Sequence, residues 1–193
     1  PLDVRRLGPG SYIVEVHGLR QPLELTAAML LLPGAQTFCI PAGEGMRAYT
    51  SLTNRFCLLH PAAYYVFRPE PNLVLISARL RSNLPRALVA QLEILRQGPA
   101  QGRSAEQWAK ERLAEVIAQG AALSWGTFTL GGETGVLVDG APQGEFVTRQ
   151  GYVMHADTLY ILTLSPFQAD EPESLEEALA LWDAVVASFV FLD

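Results

Sequence analysis

Lysine is almost missing from this chain: of its 14 basic residues only Lys110 is a lysine, and no basic run exceeds the pair Arg5-Arg6. Against 20 acidic residues this leaves a formal net charge of −6 over 193 residues. A surface of that sign repels polyanions, so duplex nucleic acid and anionic lipid are disfavoured as general partners. Long apolar runs are also missing. The longest, Met29 to Leu32 and Val185 to Leu192, fall far short of the roughly 20 residues a membrane-spanning helix requires. The catalytic signatures are missing as well. No G-x-S-x-G elbow, no H-E-x-x-H and no glycine-rich loop leading into Lys-Ser/Thr occurs, and each would be needed to place a nucleophile, a zinc or a phosphate in the usual ways.

With 49% hydrophobic and 18% charged residues, the chain has enough apolar surface to fold as one globular domain, or one domain with an extension. Two cysteines, Cys39 and Cys57, sit in the short apolar runs Phe38-Cys39-Ile40 and Phe56-Cys57-Leu58. They read either as small buried hydrophobes in a reducing compartment or as one disulfide between neighbouring strands. The chain starts at Pro1 rather than Met, and the expectation is a processed signal peptide or lipidated anchor upstream.

Residues 1–45 are cut by Gly8-Pro9-Gly10, Gly18, Pro22, Pro33-Gly34 and Pro41-Ala42-Gly43 into pieces suited to strands rather than long helices. Ser11 to His17 and Gln36 to Ile40 alternate as half-buried strands do, whereas Leu23 to Leu32 fits strand and helix equally. Residues 46–193 form the main domain. Arg47 to Leu59 reads as a hairpin turning at Leu52-Thr53-Asn54-Arg55, and Leu73 to Leu80 as a strand. Pro85 to Gln97 satisfies both periodicities. Ser104-Ala105-Glu106-Gln107 is a capping box that opens a helix with Trp108, Leu113, Val116 and Ile117 inward and Gly120 as its stop. Gly131-Gly132 and Ala156-Asp157 turn a four-strand meander between Leu123 and Leu164. Ser174-Leu175-Glu176-Glu177 predicts a second capped helix, with Leu175, Ala178, Leu179, Trp182, Val185, Val186 and Phe189 as its apolar stripe. The fold class is α+β, helices laid on an antiparallel sheet.

From Met46 onward this order resembles the PsbP-like superfamily. The resemblance rests on Tyr49 to Pro61 followed by Tyr64-Tyr65-Val66, on the helix start at Ser104 to Trp108, and on Thr158 to Thr163 followed by Ala184 to Phe191 with its Ser-Phe ending. It implies an α/β/α sandwich with a central antiparallel sheet flanked by helices, and it makes Pro85 to Gln97 a strand. Residues 1–45 have no counterpart in it and are expected as a β-rich extension packed on the main domain. It also implies an exported, extracytoplasmic protein, secreted or lipid-anchored at the cell envelope, and so favours a Cys39–Cys57 disulfide.

His17, His60 and His155 are scattered singly, which gives zinc no ligand spacing, so no metal is expected. Asp170, Glu171, Glu173, Glu176 and Glu177 could ligate a hard cation, but carboxylates at a helix start also stabilise its positive end. Tyr64, Tyr65 and Phe67, beside Pro61, Pro69 and Pro71 in an expected loop, are the binding candidates, since exposed aromatics supply contact area at low entropy cost. The expected function is a non-catalytic exported module that binds a protein partner or ligand, with no cofactor and no nucleic acid, its only membrane link being a removed N-terminal anchor. The alternative is a small-ligand or cation-binding protein with a pocket between sheet and helix; a hydrolase ranks behind both.

Overall fold

A computed structural model describes residues 10–16, 19–25, 42–78, 89–144, 146–167 and 172–192. The chain divides into two compact units, Pro1–Phe38 and Cys39–Asp193. In the first, β1 (Gly10–Val16) and β2 (Leu19–Leu25) pair antiparallel with Gly10 opposite Leu25. The expected strand at Gln36 to Ile40, and with it Cys39 and His17, lies outside the described residues.

The second unit opens with the expected hairpin, β3 (Met46–Ser51) and β4 (Phe56–Pro61). The two-residue β12 (Val190–Phe191) pairs on the other side of β4 to complete a three-stranded sheet. The main sheet has seven antiparallel strands: β5 (Tyr64–Glu70), β6 (Leu73–Ala78), β7 (Gln91–Pro99), β8 (Ser124–Leu130), β9 (Glu133–Gln143), β10 (Phe146–His155) and β11 (Thr158–Ser165). Their order is β5-β6-β7-β11-β10-β9-β8. The meander therefore folds back so that its last strand joins β7, where Ile161 faces Leu95. The expected hairpin turns are present, with positive φ at Gly131, Gly132, Ala156 and Asp157.

The capping box forms as expected: Gln107 N–H donates to Ser104 Oγ at 3.2 Å, and Ser104 N–H donates to Gln107 Oε1 at 2.8 Å. The helix it opens is interrupted, however. It runs as α1 (Ala105–Arg112) and then, after Leu113, as the short α2 (Ala114–Ala118). The buried stripe is Ala105, Ala109 and Leu113, at i, i+4 and i+8, and Ile117 is 44% exposed. Small alanines let α1 lie close on the sheet, and the break at Leu113 takes Ile117 out of line with them.

The closing helix α3 (Pro172–Ser188) begins two residues before Ser174, which corrects the second capping box. Proline suits a first helical position, where no N–H is needed. Its buried residues are Ala178, Leu181, Trp182, Val185 and Ser188. Phe189, expected on the helix, follows it and stacks on Phe56 with ring centroids 5.0 Å apart.

Strand β11 shows why two helical layers are required. Tyr160, Leu162 and Leu164 belong to the apolar cluster under α3, while Leu159 and Ile161 belong to the cluster under α1. A strand apolar on both faces must be covered on both, and each fully buried Leu or Ile contributes about 1.5–3 kcal/mol. Gly151 on β10 marks a tight contact. A Cβ there would lie 2.6 Å from Phe128 Cζ and 2.9 Å from Trp182 Cη2, so only glycine lets these rings close over the sheet.

Candidate functional site

The aromatic stretch Tyr64 to Phe67 is a strand rather than a loop. It forms β5, which is paired to β6 and is terminal in the sheet among the described residues. Strand alternation then separates the three candidates. Tyr64 is 7% exposed in the cluster under α3, and its hydroxyl donates to Glu177 Oε1 at 3.3 Å. Tyr65 and Phe67 leave the opposite face, 48% and 50% exposed, with ring centroids 6.0 Å apart and planes tilted by 45°. Tyr64 is thus withdrawn from the proposed surface by the two-residue period of the strand.

The register identifies what lies beside them. Tyr65 faces Ser77 and Phe67 faces Leu75, while Leu75 in turn faces Glu93 and Glu93 faces Thr163. A row thus runs from an exposed aromatic through an aliphatic to a half-buried carboxyl. Burial pushes the Glu93 carboxyl above its ordinary range, while a hydrogen bond from Gln143 and the charge of Arg112 pull it back down. Further across this face, Tyr152 Oη donates to Gln150 Oε1, Gln150 Nε2 to Thr148 Oγ1 at 3.1 Å, and Thr148 Oγ1 to Ala141 O at 2.7 Å. Burial pushes the Tyr152 hydroxyl up to about 12, with Arg112 opposing. This chain of satisfied groups fixes the sheet interior. α1 packs over β9 and β10, away from β5. Sequence reasoning missed Leu75 and Glu93, because membership of this row depends on strand register and not on local pattern.

The remaining candidates are dispersed. Cys57 is fully buried in β4, opposite Thr50 and Val190. His60, also in β4, is 4% exposed, with Nδ1 3.0 Å from Pro61 O; burial lowers its affinity for a proton, and the Arg47 charge adds to this. His155 lies at the end of β10 with Nδ1 3.2 Å from Glu133 Oε1, its ring stacked on Phe191 at 4.1 Å. Among the described residues no group of three or more His, Cys, Asp or Glu side chains could hold a metal. Of the acidic cluster, Asp170 and Glu171 lie outside the described residues, Glu173 sits in the first turn of α3 and Glu177 accepts from Tyr64.

A groove of about 590 Å³ between α1–α2 and β8 is lined by Ala114, Ile117, Ala118, Leu123 and Trp125, with Lys110 at its side. Lys110 is held 2.6 Å from Glu106, and the rest of the lining is apolar, so the groove lacks converging polar groups that would orient a small molecule.

These observations define the class: an α+β sandwich with a PsbP-like fold. The chain is similar to the solution structure of cyanobacterial PsbP (CyanoP) from Synechocystis, at TM-score 0.51 and 14% identity, covering 79% of this chain and 96% of that one. It is also similar to the protein Mog1, at TM-score 0.49 and 12% identity over 77% and 96% of the chains. A Pseudomonas aeruginosa protein of unknown function gives TM-score 0.44 and 16% identity over 72% and 91%. No protein-family model matches the sequence, and no curated protein matches it.

Proposed function

We propose that this chain is a non-catalytic binding module that engages a protein partner at the cell envelope through Tyr65 and Phe67. The observation that carries the reading is the aromatic pair itself, two half-exposed rings 6.0 Å apart on β5, the outermost strand of the main sheet among the described residues. Rings of this kind anchor protein interfaces because they bury large area while freezing few torsions. The net charge of −6 favours partners that are neutral or basic on the contacting face. Export belongs to the same proposal and draws support from the cysteine pair, since a structural disulfide persists in oxidising compartments.

A second reading, a small-ligand site between sheet and helix, draws support from the groove beside Trp125. The two readings separate experimentally. Envelope extract passed over immobilised wild-type protein and over a Tyr65→Ala/Phe67→Ala variant of equal melting temperature should yield a protein retained by the first and lost from the second. Equal retention by both would remove the aromatic pair from the function.

A further inference from the structure

Gly126 in β8 is a glycine that the packing of the chain does not require. Gly135 and Gly151 hold space that Phe128 fills, since a Cβ at either would lie within 2.8 Å of its ring. At Gly126 a Cβ would meet only Leu137 Cβ, at 4.0 Å, and no positive φ demands glycine. Glycine weakens a strand interior, and its use there commonly marks a place where another backbone comes close. Gly126 is exposed. With no side chain, that exposure is of the main chain itself.

The strand around it is bare of the devices that keep sheet edges apart. β8 is the outermost strand on its side of the main sheet among the described residues, and all seven of its residues pair with β9 without a bulge. Its sequence, Ser-Trp-Gly-Thr-Phe-Thr-Leu, contains no charge and no proline. β5, outermost on the other side, carries Arg68, Pro69 and Glu70, with a bulge between Phe67 and Glu70. Charges, proline and bulges are the means by which native edges refuse a further strand. One edge is therefore guarded and the other is not. Beside the unguarded edge, Trp125 and Ile117, 40% and 44% exposed, line the apolar groove between α1–α2 and β8.

We propose that β8 pairs antiparallel with β8 of a second copy of this chain, joining the two main sheets across a two-fold axis. Charge and symmetry select this occupant. Like charges set opposite one another destabilise a strand pair, and two copies of β8 bring none together. Two open edges would let copies add head to tail without limit, but with β5 guarded the pairing of β8 with itself closes as a dimer. The two-fold axis puts the Trp125 side chains of both copies on the same face, where each adds apolar area to main-chain bonds that alone fall short of a standard interface. The pairing does not involve Tyr65 and Phe67 at the other edge, so it stands independently of the binding surface proposed above.

Sedimentation equilibrium of the whole chain at rising concentration should show the mass passing from one chain to two and stopping there. Hydrogen exchange at the amides of Gly126 to Thr129 should slow as the dimer forms. Thr127 is exposed, so Thr127→Lys should fold, and it should weaken the dimer by about tenfold or more by setting like charges across the axis. Trp125→Lys, at the rim of the groove, is a second variant with the same expected loss. Leu52→Lys adds the same charge at a 63% exposed site in the β3–β4 turn and should leave dimerisation unchanged. A chain that stays monomeric up to about 1 mM leaves the edge to a foreign strand or to none, and overturns the proposal. A dimer that both β8 variants retain, unchanged exchange at β8 on dimerisation, or growth beyond two chains would overturn it equally.

Discussion

Tyr64 and Tyr65 are adjacent in the chain and leave β5 on opposite faces, the first buried with its hydroxyl on Glu177 of α3 and the second 48% exposed. The same residue type at consecutive positions therefore has a structural role in one case and a surface role in the other. Tyr64→Ala should destabilise the protein by about 3 kcal/mol, as truncating a buried aromatic does, whereas Tyr65→Ala should cost less than about 1 kcal/mol. Urea unfolding of the two variants compares them directly, and similar losses would contradict the assignment of faces.

Ser188 joins the last turn of α3 to β4. Leu59 N–H donates to its Oγ at 2.8 Å, and the hydroxyl in turn donates to Ala184 O at 2.7 Å. Ser188→Ala should leave the Leu59 amide buried without a partner and cost about 1–3 kcal/mol. Ser188→Thr keeps the hydroxyl and should recover part of that loss. A neutral Ser188→Ala would show that the helix end is held by Phe189 and Phe191 alone.

Cys57 lies inside β4 and is fully buried, and the proposal pairs it with Cys39, the first residue of the second unit. Closing a loop of this length should stabilise the folded state by about 3 kcal/mol relative to the reduced protein. Intact mass after alkylation under denaturing, non-reducing conditions should show no added alkyl group. Two added groups would remove the bridge and its support for export.

His60 gives a pH dependence of defined sign. Burial lowers its folded-state pKa below the ordinary 6.5, with Arg47 adding to the effect. The unfolded chain therefore takes up the proton first as pH falls. The stability from keeping His60 neutral is complete above pH 6.5 and is lost as pH falls below it through the folded pKa. Unfolding free energies measured between pH 7.5 and pH 5 should decline, and His60→Gln should flatten the decline. An imidazole midpoint at or above 6.5, measured by NMR, would reverse the sign.

Much of the fold was legible because it is written locally. The Ser104 capping box, the glycine pair at Gly131-Gly132 and the alternation around Ala156-Asp157 each specify structure through neighbours a few residues away. The parts that were not legible depend on distant residues. Nothing near Tyr64 says that the strand is terminal in the sheet or which face α3 will cover, so the three aromatics read as one cluster. The start of α3 at Pro172 was hidden by a Ser-x-x-Glu pattern that the helix absorbs in its first turns. Asn54 read as a turn residue, which it is; that its backbone oxygen accepts from Tyr160 of β11 depends on residues more than a hundred positions away.

The most direct measurement is photo-crosslinking in living cells, with a photoreactive phenylalanine analogue placed singly at Tyr65, Phe67, Trp125 and Leu52, all exposed positions. The account predicts a discrete adduct with a different envelope protein from positions 65 and 67 and none from 125 or 52. Such an adduct from position 125 or 52, with none from 65 and 67, would contradict it.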